Sequence, residues 1–127
     1  MIRFFIGIFV YFSLTSLVAA AWTPVSKSDG YAQYVDFSTT KHSGNRIQVL
    51  EMLDFTTPQR FGQRSMILTM EYDCSSGLFR GISGKIYSGN MGKGSEIPAP
   101  SETTEWTRPR QGSISENTIK ELCRGQR

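Results

Sequence analysis

Histidine occurs once in this chain, at His42, and cysteine only twice, at Cys74 and Cys123. With no Cys-x-x-Cys pair and no second histidine, the four-ligand spacings of a zinc centre are missing. His42 lies in a Lys-His-Ser-Gly stretch with no acidic residue or cysteine adjacent in sequence, so it reads as a solvated turn residue rather than a general base or metal ligand. The glycine-rich run Gly89-Asn-Met-Gly-Lys-Gly-Ser95 lacks the glycine spacing of a phosphate-binding loop. It reads as a turn whose glycines adopt positive φ. Charge is also undramatic: 14 Lys and Arg against 11 Asp and Glu, a net +3, with the signs interspersed. No candidate helix carries several basic residues on one face and no RNA-binding aromatic motif occurs, so nucleic acid is not an expected partner. Asp36, Glu51, Asp54, Glu71 and Asp73 could furnish a carboxylate pair for hydrolysis. Their spacing places no two together, and strand carboxylates ordinarily face solvent. No catalytic residue, metal ligand or cofactor site is therefore assigned, and the expectation is a protein that is not an enzyme.

What is present begins with a leader. Arg3 gives a positive start, Phe4 to Val18 is an apolar stretch, and Ala19-Ala20-Ala21 is a small-residue cleavage site of the secretory type. The apolar stretch is shorter than the ~20 residues that span a bilayer as a helix. This favours a removed signal peptide, residues 1–21, over a retained anchor. Cleavage between Ala21 and Trp22 is expected, and cleavage after Ala20 is the near alternative. No cysteine lies at the junction to carry a lipid. The remaining 22–127 form one exported domain, periplasmic or at the cell surface, not lipid-anchored and without a membrane span. Cys74 and Cys123 then meet an oxidising compartment.

Periodicity organises the mature chain. Trp22 to Val25 is a short extended entry, followed by a turn at Ser28-Asp29-Gly30. Tyr31 to Phe37 is an aromatic-rich strand, and Ser38 to Asn45 is polar with Gly44 near a hairpin turn. In Arg46 to Phe55, Ile47, Val49, Leu53 and Phe55 share a face interrupted by Glu51, while Leu50 and Met52 occupy the other. That second apolar face needs a cover: the segment from Ser88 to Trp106 folding back, or a second copy of the chain in an isologous homodimer. Thr56 to Arg64 holds Pro58 and Gly62 and reads as a loop. Ser65 to Cys74 alternates, with Met66, Leu68, Met70, Tyr72 and Cys74 on one side. Ser75-Ser76-Gly77 is a tight connection, so Leu78 to Tyr87 pairs antiparallel with the strand before it. Ser88 to Trp106 is irregular, and no internal repeat occurs.

Ser113-Ile-Ser-Glu116 is a capping-box sequence. Ile114, Ile119, Leu122 and Cys123 then form one helical stripe. A helix from Ile114 to Cys123 is too short to persist alone. Cys123 on its apolar stripe and Cys74 on the apolar side of its strand form the only cysteine pair, and a bond between them docks the helix on the sheet.

Several of these features together resemble a known family. They are a tryptophan at the mature start, Tyr34-Val-Asp36, and Gly44-Asn-Arg-Ile-Gln-Val-Leu50 with an Asp54-Phe55 ending. Ser65, Glu71-Tyr72-Asp73-Cys74, Tyr87-Ser88 and Met91-Gly92-Lys93-Gly94 follow, and Trp106, Gly112-Ser113 and Cys123 close the pattern. The whole mature chain is similar to the surface-adhesin protein E family of exported Gram-negative bacterial proteins. The resemblance implies an α+β fold: an antiparallel sheet of about six strands with a C-terminal helix tied on by one disulfide. It implies a non-enzymatic binding protein whose partner is a host extracellular-matrix or serum protein. The alternative is a soluble periplasmic protein that binds another envelope protein or acts as a small hydrolase or inhibitor. No ligand-binding residue carries over, because the matching positions are strand ends, glycine turns and cysteines.

Overall fold

The computed structural model describes residues 7, 8, 10, 11 and 21–124. The expected signal peptide lies almost entirely outside them. Among the described residues, no helix is long and apolar enough to cross a membrane.

The chain forms one antiparallel sheet of six strands in sequence order: β1 (Thr23–Lys27), β2 (Tyr31–Ser43), β3 (Arg46–Phe55), β4 (Ser65–Asp73), β5 (Leu78–Tyr87) and β6 (Glu96–Ile97). A helix, α1 (Ile114–Leu122), follows. Short turns dictate this order. Gly44 at φ +59 reverses the chain between β2 and β3. Between β4 and β5 the Asp73 carboxylate accepts from Ser75 N at 2.9 Å and Ser75 Oγ at 2.7 Å, and Gly77 at φ +73 closes the turn with a bond from its N–H to Asp73 O. An aspartate capping its own turn in this way is standard turn chemistry.

β3 to β5 have the expected extents, with β4 ending one residue before Cys74. β2 does not: it runs on through the polar stretch to Ser43. Four residues, 37 to 40, oppose the single Val49 between the pairs Asp36–Leu50 and Lys41–Gln48. The ladder survives because Thr39 Oγ1 stands in for a main-chain acceptor. It receives Leu50 N at 2.9 Å and itself donates to Asp36 O at 2.6 Å. The bulge turns Phe37 onto the core.

One face carries the helix. Val35, Val49, Tyr72 and Ile119 form the core, with Val25, Phe37, Met70, Phe79 and Leu122 packed on it. Tyr72 and Phe79 stack across β4 and β5 with ring centroids 5.9 Å apart. Ser113 caps α1 by accepting from Glu116 N at 3.2 Å. The return half of the capping box differs from expectation: Glu116 accepts from Gly112 N at 3.4 Å, because Ser113 N donates to Arg110 O. The Cys74–Cys123 disulfide joins the helix end to the end of β4, with Cα atoms 5.6 Å apart.

The opposite face has its own cover, drawn from the chain itself. A 3-10 turn at Asn90–Gly92 packs over β3 and β4, and Met52 is 0% exposed beneath it. Ser65 Oγ donates to Gly89 O at 2.6 Å and accepts from Gly92 N at 2.9 Å, pinning the turn down. Leu50 stays half-buried. Beyond β6 the chain returns as a strap along β5. Gly81 and Thr104 exchange bonds, as do Phe79 and Thr107, and Ser101 Oγ takes Gly84 N. The outer edge of β5 is thereby removed from solvent pairing.

Two outcomes follow. Replacing Cys74 and Cys123 by serine opens a 49-residue separation and should cost about 4 kcal/mol, read as a fall in the urea midpoint of the oxidised protein that reductant reproduces in the wild type. Gly92 has φ +72, and a Cβ there would lie 2.9 Å from Ile67 Cδ1. Gly92→Ala should destabilise by about 1–2 kcal/mol, and an unchanged melting curve would show that the turn does not bear on the sheet.

Candidate functional site

Two places concentrate unusual side chains: a polar centre under the helix, and the end of the sheet farthest from the disulfide. The polar centre is built by register. Glu51 in β3 lies opposite Val35 and Leu68 on the core face, yet only 3% of it is exposed. Tyr72 donates to Glu51 Oε2 at 2.5 Å and Gln33 Nε2 donates to Oε1 at 3.0 Å. Thr118 of α1, also buried, hydrogen-bonds Tyr72. Strands β2, β3, β4 and the helix thus share one chain of polar contacts. Burial raises the Glu51 carboxyl above its ordinary value, outweighing the bonds from Tyr72 and Gln33. Burial, then the Glu51 charge and the bond to it, push the Tyr72 hydroxyl far up, so it stays a donor.

The expectation that strand carboxylates face solvent fails here. Asp36, Glu51 and Glu71 are all buried, because Glu51 and Glu71 find hydrogen-bond donors on neighbouring strands and Asp36 finds them at Ser38 and Ala21. Glu71 takes Gln48 Nε2 at 3.0 Å and Arg80 Nη2 at 2.8 Å. Burial works to raise Glu71, but the Gln48 and Arg80 bonds and the Arg80 and Arg46 charges prevail and lower it. The same two cations lie over the Trp106 ring, Arg80 at 4.3 Å and Arg46 at 5.2 Å from its centroid. None of this reaches a cleft. The groove under the strap, of about 240 Å3, is lined by residues such as Met66, Leu68, Ile86 and Pro100. A second, on the back face, is lined by Leu50, Ile67, Thr69 and Tyr87. Glu51 lines neither, and its perturbed carboxyl lies buried beneath the helix. Among the described residues no three His, Cys, Asp or Glu are grouped to hold a metal.

The far end of the sheet has different chemistry. The 28–30, 56–64 and 88–95 connections meet there. Thr56 binds Gly30 O through its N–H at 3.1 Å and its hydroxyl at 2.9 Å. Asn90 Nδ2 donates to Phe55 O, and Asp54 accepts from Met91 N at 2.8 Å. Met91 is held at φ +57, the positive φ that non-glycine residues rarely take. Within the middle loop Gln59 N donates to Gln63 O, Gly62 N to Gln59 O, and Phe61 N to Gln63 Oε1 at 2.8 Å. The loop tip is therefore a closed, hydrogen-bonded turn, and it presents Phe61 60% exposed with the Arg60 guanidinium 5.6 Å from its ring. Tyr31, 37% exposed, starts β2 opposite Phe55 at this end. Within 21–124 these two are the exposed large hydrophobic side chains. Residues 56–64 contain two arginines and no acid.

Sequence reasoning recognised this segment as a loop and nothing more. Its readable signal was an aromatic flanked by arginines where turns are ordinarily polar. Of the residues it singled out, the structure brings Cys74 and Cys123 together. Ala21 and Trp22 lie at the entry to β1, away from the loop end.

The buried carboxyl sets a pH signature. Glu51 binds its proton more tightly folded than unfolded, so its contribution to stability falls as pH rises upward from the ordinary value of 4.5. Glu71 and Asp73 are held below their ordinary values, Asp73 chiefly by Ser75, so the stability they add is lost as pH falls through the acid range. In urea titrations the free-energy difference between Glu51→Gln and wild type should move in favour of the variant as pH rises from 4.5 to neutrality. A constant difference would show that Glu51 does not titrate abnormally.

Comparison with known proteins gives the fold a context. No curated protein matches the chain in sequence. Among solved structures, crystal form II of Haemophilus influenzae protein E superposes with a TM-score of 0.60 at 13% identity, covering 80% of this chain and 92% of that one. The selenomethionine form of that protein gives the same figures, and a further structure of it gives 0.59, covering 89% of that chain. At this identity the likeness is one of fold. The family model described as surface-adhesin protein E matches residues 22–124, the whole described domain from the start of β1 past the helix. The chain belongs to the surface-adhesin protein E family.

Proposed function

We propose that this protein is a non-enzymatic exported adhesin that binds a host extracellular-matrix or serum protein through the loop end bearing Phe61. Membership of an adhesin family supports the class of activity. The observation that carries the location is the Phe61–Arg60 pair, exposed on a turn already closed by its own hydrogen bonds. A preordered aromatic with an adjacent arginine binds protein surfaces at small entropic cost. Both residue types are enriched where binding energy concentrates. The burial of Glu51 beneath the helix, outside both grooves, supports a binding rather than a hydrolytic role. On this reading residues 1–21 are a removed leader, and residues 22–127 act as one domain, free of lipid, at the cell surface. The second reading, a periplasmic partner of another envelope protein, uses the same loop end toward a different protein.

The test immobilises a panel of purified matrix and serum proteins and measures binding of wild type, Phe61→Ala and Arg60→Ala. Saturable binding to a panel member, weakened about tenfold or more by Phe61→Ala with an unchanged melting curve, is the expected result. Antibody staining of intact cells is expected alongside it. Absence of saturable binding, with protein recovered only from the periplasm, favours the second reading. Undiminished binding by Phe61→Ala overturns the assigned site.

A further inference from the structure

Among the described residues, the buried carboxylate of Asp36 has no lysine or arginine as counter-charge. It is 2% exposed in β2. Its Oδ1 accepts from Ser38 N at 3.0 Å and Ser38 Oγ at 2.5 Å. Its Oδ2 accepts one bond, from the main-chain nitrogen of Ala21 at 3.2 Å. A charge buried with neutral donors alone is costly, and an opposite charge in hydrogen-bond contact is what usually offsets the cost. Among the described residues the one hydrogen-bond donor to Oδ2 is the Ala21 nitrogen, and cleavage of the Ala20–Ala21 bond would make that atom an α-ammonium. Ala21 is itself exposed, so a terminus there needs no opening of the fold.

We propose that the leader is cut between Ala20 and Ala21, and that the α-ammonium so created is the counter-ion of Asp36. The inference rests on the reading of the N-terminal segment as a removed leader, and it moves the end of that leader from Ala21 to Ala20. In the cut, water adds its hydroxyl to the Ala20 carbonyl carbon and the Ala20–Ala21 C–N bond breaks. The Ala21 nitrogen takes the water's proton and, at neutral pH, one more, while the new Ala20 terminus ionises. A single amide N–H becomes a three-donor cation already within 3.2 Å of the carboxylate, and a charge-assisted bond is roughly twice as strong as a neutral one. Cutting after Ala21 would instead remove the nitrogen that Oδ2 contacts and move the terminus one residue on, about 3.8 Å along the chain. The alanine run offers the peptidase both bonds, and a cut at Ala20–Ala21 is the one that leaves the new terminus on the nitrogen bonded to Asp36. Because β1 is the outermost strand and its entry is held at Asp36, processing also fastens that edge: the precursor folds without this ion pair and the mature protein with it.

The experiment expresses the full chain, recovers the exported protein from the cell envelope, and reads its first residue by intact mass and N-terminal sequencing. Ala21 in first position is expected. Trp22 in first position overturns the inference while leaving the leader reading intact, and Met1 in first position overturns the leader reading itself. The recovered wild type and Asp36→Asn proteins are then melted before and after acetylation confined to the α-amine. Acetylation should lower the wild-type midpoint by roughly 4–8 °C and leave Asp36→Asn nearly unmoved. An equal drop in both proteins, or none in the wild type, refutes the ion pair. If Asp36→Asn does not fold, the wild-type shift is compared with that of Ser38→Ala, whose carboxylate remains and whose midpoint should still fall on acetylation.

Discussion

A nine-residue helix has too few internal hydrogen bonds to outlast its nucleation cost, yet here it closes the core of Val35, Val49 and Tyr72. The bond from Cys74 to Cys123 resolves this. It fixes the helix end to the end of β4 and leaves Thr118 and Ile119 to settle onto Tyr72 and Val49. Everything on that face depends on the docking. Without the helix, Tyr72 and Glu51 would meet water, and the hydrogen-bonded chain through Gln33, Glu51, Tyr72 and Thr118 would lose its upper member. The polar centre in turn specifies how the helix sits, since a buried carboxylate tolerates only an arrangement that keeps its donors in place. Hydrophobic contact alone would permit sliding.

The same economy governs the back face. A six-stranded sheet with one short helix has one side too many. The chain covers the second side with the turn at Asn90–Gly92 rather than a second layer, placing Gly92 where backbone must lie directly against Ile67 and Met52. Gly89 and Gly94 approach each other's backbone just as closely in the same loop. The glycine-rich run that superficially suggests a phosphate cradle is therefore a lid on the sheet, and its spacing answers to packing.

Much of this was legible in the sequence because the relevant signals are local. Alternation in Ser65 to Tyr72 and the turn at Ser75-Ser76-Gly77 fix β4, β5 and their pairing, and the serine–glutamate spacing at 113 and 116 marks the helix start. The unreadable parts depend on partners far away in the chain. β2 continues past Phe37 only because Thr39 repairs the ladder for Leu50, eleven residues on. Glu51 is tolerated on the core face only because register brings Tyr72, twenty-one residues later, against it. Phe61 gains significance only once Gln63 has closed the loop beneath it. Alternation identifies a face, but it does not say which polar residue on that face has found a donor.

The chemistry that stabilises this domain and the chemistry it offers outward are kept apart. Glu51 and Tyr72, the groups that burial raises, are sealed beneath the helix, and the disulfide lies at the end of the sheet opposite the 56–64 loop. That loop end carries an exposed ring, arginines and backbone that needs no further ordering. A binding surface gains from this separation, because its residues can change without disturbing the core and a partner's contact does not strain the fold. Loops set on a rigid frame are where proteins generally place recognition. In this family member the frame is a single sheet covered on both sides by the chain itself, and within 21–124 the large hydrophobic side chains it leaves exposed, Tyr31 and Phe61, stand at the loop end.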